Sequence, residues 1–256
     1  MKKLFVLIAA ACMTCTAAFA QTVKPFKEGE RAVFLGNSIT DGGHYHSYIW
    51  LYYMTRFPDM PIRVFNGGIG GDTAYDMNKR LDGDIFAMKP SVLMVTFGMN
   101  DSGYFEYNGD KPKEFGEQKY QESIKNYQQM EKRFKDLPDT RIVMVGTSPY
   151  DETVQLKENT PFKTKNETIK RLVEYQKESA AKNNWEFTDL NAPMTAINQQ
   201  YQQKDPTFTL CGSDRIHPDN DGHMVMAYLF LKAQGFVGKE VADMEINANK
   251  KQAVKS

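Results

Sequence analysis

The chain has 256 residues, with 32 Lys and Arg set against 32 Asp and Glu, 3 Cys and 12% aromatic residues. A formal net charge of zero argues against nucleic acid or an anionic membrane as the main partner, because both favour a strongly basic face. The length suits one large domain with an ample core, and no segment approaches the ~20 apolar residues of a spanning helix.

Met1 to Ala20 reads as a signal peptide. Lys2 and Lys3 form a positive n-region, Leu4 to Ala11 an apolar h-region, and Ala18-Phe19-Ala20 a small-x-small cleavage site before Gln21. Cys15 follows Cys12-Met13-Thr14, a poor lipobox, so the expected product is secreted or periplasmic and not lipid-anchored. Cleavage removes two lysines and no acid, leaving 30 basic against 32 acidic side chains, a net of −2. Cys12 and Cys15 leave with the signal, and Cys211 then has no partner for an intrachain disulfide. Residues 21–238 are expected to form the main domain, and 239–256 a polar tail with weak strand-like alternation around Val241–Ile246.

In chain order, Arg31–Leu35, Ile62–Asn66, Val92–Gly98, Arg141–Thr147 and Trp185–Thr188 are strand candidates. Val92-Leu93-Met94-Val95 is apolar without alternation, as in strands covered on both faces. Between them, Tyr120, Ile124, Tyr127, Phe134 and Leu137 repeat at helical spacing. A second helix is expected to open on a capping box, Thr164 with Glu167, and to continue through Ile169, Leu172 and Val173. A third starts near Pro218–Asp221 and carries Met224, Ala227, Tyr228 and Leu231. Strands separated by helices predict βαβ crossovers, hence a three-layer α/β/α sandwich on a mainly parallel, about five-stranded, flavodoxin-like sheet.

Three short blocks fall just after predicted strands, where open α/β sheets bind ligands, and a fourth precedes the third helix. They are Gly36-Asn37-Ser38-Ile39-Thr40, Gly67-Gly68-Ile69-Gly70-Gly71-Asp72, Gly98-Met99-Asn100-Asp101 and Ser213-Asp214-Arg215-Ile216-His217-Pro218. A serine on a tight turn after an apolar strand, and a histidine with an aspartate three residues before it, are the parts of a nucleophilic hydrolase. Taken in this order, the blocks resemble the GDSL/SGNH hydrolase superfamily from about Val33 to His223.

The resemblance implies a cofactor-free serine esterase with Ser38 as nucleophile, His217 as base and Asp214 as the group that orients it. It implies an oxyanion hole made of the Ser38 and Gly71 backbone N–H groups and the Asn100 side-chain amide. Asn37 departs from the usual Asp of that family and removes a negative charge beside the serine. The loop Asp101–Phe115 follows Asn100 and mixes aromatic residues with Asn and Gly. Tyr104, Tyr107 and Tyr150 are candidate substrate contacts, with rings that could stack on a sugar.

His44 and His46, two positions apart, point to different faces of a helix and do not suggest a metal site. His223 reads as a packing or helix-surface histidine and Cys211 as a small buried hydrophobe. A dinucleotide site at Gly68-Ile69-Gly70 lacks its last glycine and the acidic residue about 20 positions on. The expected function is hydrolysis of short acyl esters, acetyl in particular, on a small-molecule or glycan substrate. The alternatives are a lipase-type acylhydrolase or thioesterase, or a non-catalytic carbohydrate-binding protein on the same fold.

Overall fold

The structure, a computed structural model, describes residues 22–157, 160–238, 244–247 and 252–255. The expected signal peptide lies outside them, as does most of the polar tail. Five strands form the main sheet: β1 (Arg31–Gly36), β2 (Arg63–Gly68), β3 (Val92–Val95), β4 (Arg141–Gly146) and β5 (Glu186–Asp189). All pair in parallel, in the spatial order β2-β1-β3-β4-β5, which is the flavodoxin-like order. The helices are α1 (Ser38–Asp41), α2 (His44–Arg56), α3 (Ala74–Arg80), α4 (Pro112–Lys135), α5 (Lys165–Asn183), α6 (Asn191–Gln202) and α7 (Asn220–Ala233). In the tail, β6 (Met244–Asn247) and β7 (Gln252–Lys255) pair antiparallel, so the expected alternation there falls partly on a hairpin.

Each central strand sends alternate side chains to opposite faces, and both faces are covered. Ala32 and Phe34 of β1, Val92 and Met94 of β3 and Val143 and Val145 of β4 join one apolar cluster, with Ile49 and Tyr53 of α2 and Met226 and Phe230 of α7. Val33 and Leu35, Leu93 and Val95, and Ile142 and Met144 join the other, with Met77 of α3 and Tyr127, Met130 and Phe134 of α4. That double covering explains why these strands read as unbroken apolar runs.

Local chemistry sets the helix ends. Thr73 and Asp76 form a reciprocal capping box at the start of α3, Pro112 occupies the first turn of α4, and Lys132, Arg133 and Lys135 occupy its last. These are the placements that satisfy orphan backbone groups and the helix dipole. The expected box at Thr164 and Glu167 does not form: Thr164 is left-handed, with φ 69°, and its side chain makes no capping bond. The Glu152 carboxylate takes that role, accepting the N–H groups of Thr164 at 2.8 Å and Asn166 at 2.6 Å. Strand β3 stops at Val95, short of the expected Gly98, which itself turns to φ 125°. In α7 the buried positions are Gly222, His223, Met226, Ala227, Leu229 and Phe230, while Met224 and Tyr228 of the expected face point outward at 53% and 50% exposure. The helix rotates so that His223 stacks on His44 and Tyr45 of α2.

No helix among the described residues is long and apolar enough to cross a membrane.

Phe34 is fully buried, edge-on to Tyr45 at 5.6 Å and 6.1 Å from Phe230, and so ties β1 to both helices on that face. Phe34→Ala should lower unfolding free energy by about 3–5 kcal/mol through lost burial and a residual cavity, read as a lower denaturant midpoint with an unchanged slope.

Candidate active site

Ser38 opens α1 directly beyond the carboxyl end of β1. Asn37 is extended and 2% exposed, and its Oδ1 accepts the Ile39 N–H at 3.1 Å, which caps the helix. An amide oxygen caps a helix as a carboxylate oxygen does, so Asn in place of the family's Asp costs no hydrogen bond here. The loop after β2 lies against this turn. Ile69 N–H donates to Gly36 O at 3.2 Å, and a Cβ at Gly68 would sit 2.2 Å from the Asp41 nitrogen, so only glycine fits.

The loop between Cys211 and α7 brings Asp214 and His217 to the same rim. Ser38 Oγ is 2.8 Å from His217 Nε2, and His217 Nδ1 is 2.5 Å from Asp214 Oδ2. The other Asp214 oxygen accepts the Ile216 and His217 backbone N–H groups, both at 2.9 Å. With a carboxylate on Nδ1, the proton sits there and the Nε2 lone pair faces the serine. Both side chains are about half exposed, at 48% for His217 and 47% for Asp214.

The Asp214 hydrogen bond raises the His217 pKa above its usual value, against the opposing effect of partial burial. For Asp214, partial burial acts upward but is outweighed by the bonds from the His217 ring and from the His217 and Ile216 amides, so the carboxyl is lowered. Between the two residues, Arg215 is held at φ 68° and is 2% exposed. Its guanidinium donates to Asp151 O at 3.1 Å and Val154 O at 2.7 Å, and its own carbonyl accepts the Asp151 N–H. A left-handed non-glycine residue costs on the order of 1–2 kcal/mol, and this buried anchoring holds it there.

Gly71 and Asn100 meet through the residue between their loops. Asn100 Nδ2 donates to Asp72 O at 2.9 Å. A Cβ on Gly71 would meet nothing within 4 Å. Its glycine is required by φ 84°. Arg80 fixes this loop from α3, with an ion pair to Asp72 at 2.6 Å and a bond to Gly67 O at 2.8 Å. The Asp101 carboxylate does the same from inside, accepting the Ala74 and Gly98 N–H groups at 2.8 and 2.9 Å.

Lys165 is fully buried beneath the segment that carries Asn100. Its ammonium donates to Met99 O at 2.7 Å, Ser102 Oγ at 2.6 Å and Gly103 O at 2.5 Å, and it lies 3.9 Å from the Tyr104 ring centroid. Burial pushes its pKa down to about 7, with the Asp101 and Glu152 carboxylates acting the other way.

Of the three tyrosines expected at the substrate, Tyr104 alone stays partly exposed at this rim; its hydroxyl donates to Asn100 Oδ1. Tyr107 is 2% exposed, with its hydroxyl bonded to Ser102 O and Thr168 Oγ1. Tyr150 is 1% exposed, accepts the Phe162 N–H and stacks on the Phe162 ring at 5.7 Å. Both are turned inward by those bonds, so they brace the loops and offer no face to a ligand. The exposed ring of the loop is Phe105, at 79%.

His46 is buried, with Nε2 3.2 Å from Thr40 O, while His44 stacks on His223 at 5.0 Å. Burial brings the His223 pKa down to about 4, with His44, His46 and His217 pressing the same way. Cys211 is buried and its thiol is pushed up to about 12, chiefly by burial. Among the described residues, no group of three or more His, Cys, Asp or Glu side chains could hold a metal ion.

A sheet of this order, with polar motifs on its carboxyl rim, is an open α/β sheet with its ligand crevice at that rim. The chain belongs to the GDSL-like lipase/acylhydrolase family, whose model matches residues 34–225. It is 27% identical over 224 residues to an acetylxylan esterase from Geobacillus stearothermophilus, covering 81% of this chain and 95% of that protein. The solved structure of that esterase superposes with a TM-score of 0.64 at 25% identity, covering 82% of this chain and 96% of that one. A gut microbial diltiazem-metabolizing enzyme is 86% identical, with a TM-score of 0.87 over 92% of this chain. The present chain spans about half of that enzyme's length, 53%. The chain is therefore an ester-hydrolysing enzyme of the GDSL type.

With Asp214 raising its pKa, the His217 ring should titrate above the usual value of about 6.5. NMR of the ring nitrogens should show a midpoint above that value in the native protein and a lower one in Asp214→Asn. The acid limb of kcat/KM should follow both; a midpoint at or below about 6.5 in the native protein would contradict the geometry.

Proposed function

We propose that this esterase removes short acyl groups, acetyl first, from carbohydrate by an acyl-enzyme mechanism. The continuous hydrogen-bonded chain from Ser38 Oγ through His217 to Asp214, at 2.8 and 2.5 Å, carries this reading. Ser38 Oγ attacks the acyl carbon as its proton passes to His217 Nε2. The resulting oxyanion meets the Ser38 and Gly71 N–H groups and the second Asn100 Nδ2 hydrogen, the first being spent on Asp72 O. The C–O bond to the sugar then breaks and its oxygen takes the proton from His217. Water, deprotonated by the same ring, releases the acid and restores Ser38. Asp214 keeps the ring in the required tautomer and stabilises it when charged. None of these steps calls for a metal or organic cofactor.

The substrate class is supported by the acetylxylan esterase relative and by the half-exposed His217–Asp214 pair. An open rim admits an acetyl group displayed on a bulky polymer; a long acyl chain requires an apolar channel around it. The gut microbial relative metabolizes diltiazem; diltiazem carries an acetate ester, so it is a second ester to test on this chain. The signal-like Met1–Ala20 supports action outside the cytoplasm, on secreted or periplasmic material.

Ser38→Ala should fold normally and lose several orders of magnitude in kcat, with His217→Ala comparable; retention of near-native turnover by Ser38→Ala would exclude the mechanism. In a panel of esters of graded acyl length, acetyl esters should give the highest kcat/KM, with acetate released from acetylated xylan. Faster cleavage of chains of about eight or more carbons, with no acetate from any glycan, would favour the lipase alternative.

A further inference from the structure

Asn100 can serve an oxyanion only while its amide nitrogen, not its oxygen, faces the reacting carbon. Asparagine side chains have two amide orientations related by a half-turn, distinguished by their hydrogen bonds. Here Nδ2 donates to Asp72 O at 2.9 Å, and Oδ1 accepts the Tyr104 hydroxyl. One Nδ2 hydrogen is thus engaged and the other is left for a ligand. A donor on Oδ1 also draws charge from the amide and strengthens its N–H groups, as hydrogen bonds in series do.

Tyr104 is itself held from two sides. The Lys165 ammonium lies 3.9 Å from its ring centroid while bonding the backbone on either side of Asn100, at Met99 O and Gly103 O. Phe162 meets the ring edge-on at 6.0 Å. Burial raises the Tyr104 pKa, and the Asp101 and Asp214 carboxylates press the same way. The hydroxyl therefore keeps its proton, and the donation persists wherever His217 is neutral.

We propose that Tyr104 is a positioning residue that acts through Asn100: its hydroxyl fixes and polarises the amide, with Lys165 holding ring and loop together behind it. The proposal rests on the oxyanion role of Asn100 and gives Tyr104 a task other than contact with the substrate.

The test is a double-mutant cycle on Tyr104→Phe and Asn100→Ala, assayed with p-nitrophenyl acetate. The Phe variant keeps the ring over Lys165 and loses only the hydroxyl, so its thermal midpoint should stay close to native. Asn100→Ala should lower kcat by roughly 10²–10³. Tyr104→Phe alone should lower kcat about 10-fold with KM changed less than about 2-fold, and should change kcat less than about 2-fold when added to Asn100→Ala. Three results would overturn the positioning role alone: an unchanged kcat in Tyr104→Phe, a rise in KM without loss of kcat, or a full Tyr104→Phe effect in the Asn100→Ala background. Native kcat in Asn100→Ala would instead remove the oxyanion assignment, and this proposal with it.

Discussion

The parallel pairing of β1 between β2 and β3 is the constraint on which the rest depends. Its register sets Gly36 beside Gly68 and Leu35 beside Val95, so three strands reach their carboxyl ends at one level and three loops leave from the same rim. Ser38, Gly71 and Asn100 are each the product of that exit, separated in sequence and adjacent in the sheet. The wider bond network follows from it. Ile69 N–H donates to Gly36 O, Asn100 Nδ2 to Asp72 O, and Arg80 to Gly67 O while pairing with Asp72. A register slip of one residue would exchange the side chains that β1 sends to the two helical layers and separate these loops together.

Charged groups inside the protein hold those loops in place. Lys165, Asp101 and Arg215 are all nearly or fully buried, and each spends its polar atoms on backbone groups of a loop at the rim. Burying a charge is costly unless every polar atom finds a partner. Backbone carbonyls and amides, with the Ser102 and Ser123 hydroxyls, supply most of those partners here, and the side chains in return fix the backbone. Burial brings the Lys165 pKa down to about 7, against the Asp101 and Glu152 carboxylates.

The central strands were legible because apolar runs without alternation mark strands covered on both faces, and the parallel sheet because helical patterns separate the strands. The rim was legible because glycines and short polar residues gather after those strands. Legibility stopped where tertiary contacts decide. Tyr107 and Tyr150 carry the same composition signal as an exposed ring, and only the Thr168, Ser102 and Phe162 partners turn them inward. The Thr164 box failed because Thr164 is left-handed and Glu152, from the loop before the helix, takes the Thr164 N–H that the Glu167 side chain would have accepted. Lys165 did leave a trace: a lysine in the first turn of a helix opposes the dipole, and that misfit points to a partner outside the helix. Arg215 left its trace as a long cation between Asp214 and Ile216, but nothing local reveals that it faces inward.

Such anchoring explains how a shallow site can be orderly. Many catalytic centres exclude water to strengthen their dipoles, yet His217 and Asp214 are about half exposed, and solvent screens their attraction. Geometry must then supply what the dielectric does not. The Asp214 carboxylate is pinned by two backbone amides before it meets the imidazole, and the Asn100 amide is pinned at both of its ends. Groups fixed in this way need little reorganisation when charge develops, which is where electrostatic stabilisation of a transition state originates. An open rim supported by a rigid, polar interior suits a reaction whose acyl group is small and whose alcohol is large, because bulk stays in solvent while the reacting carbon meets preset donors.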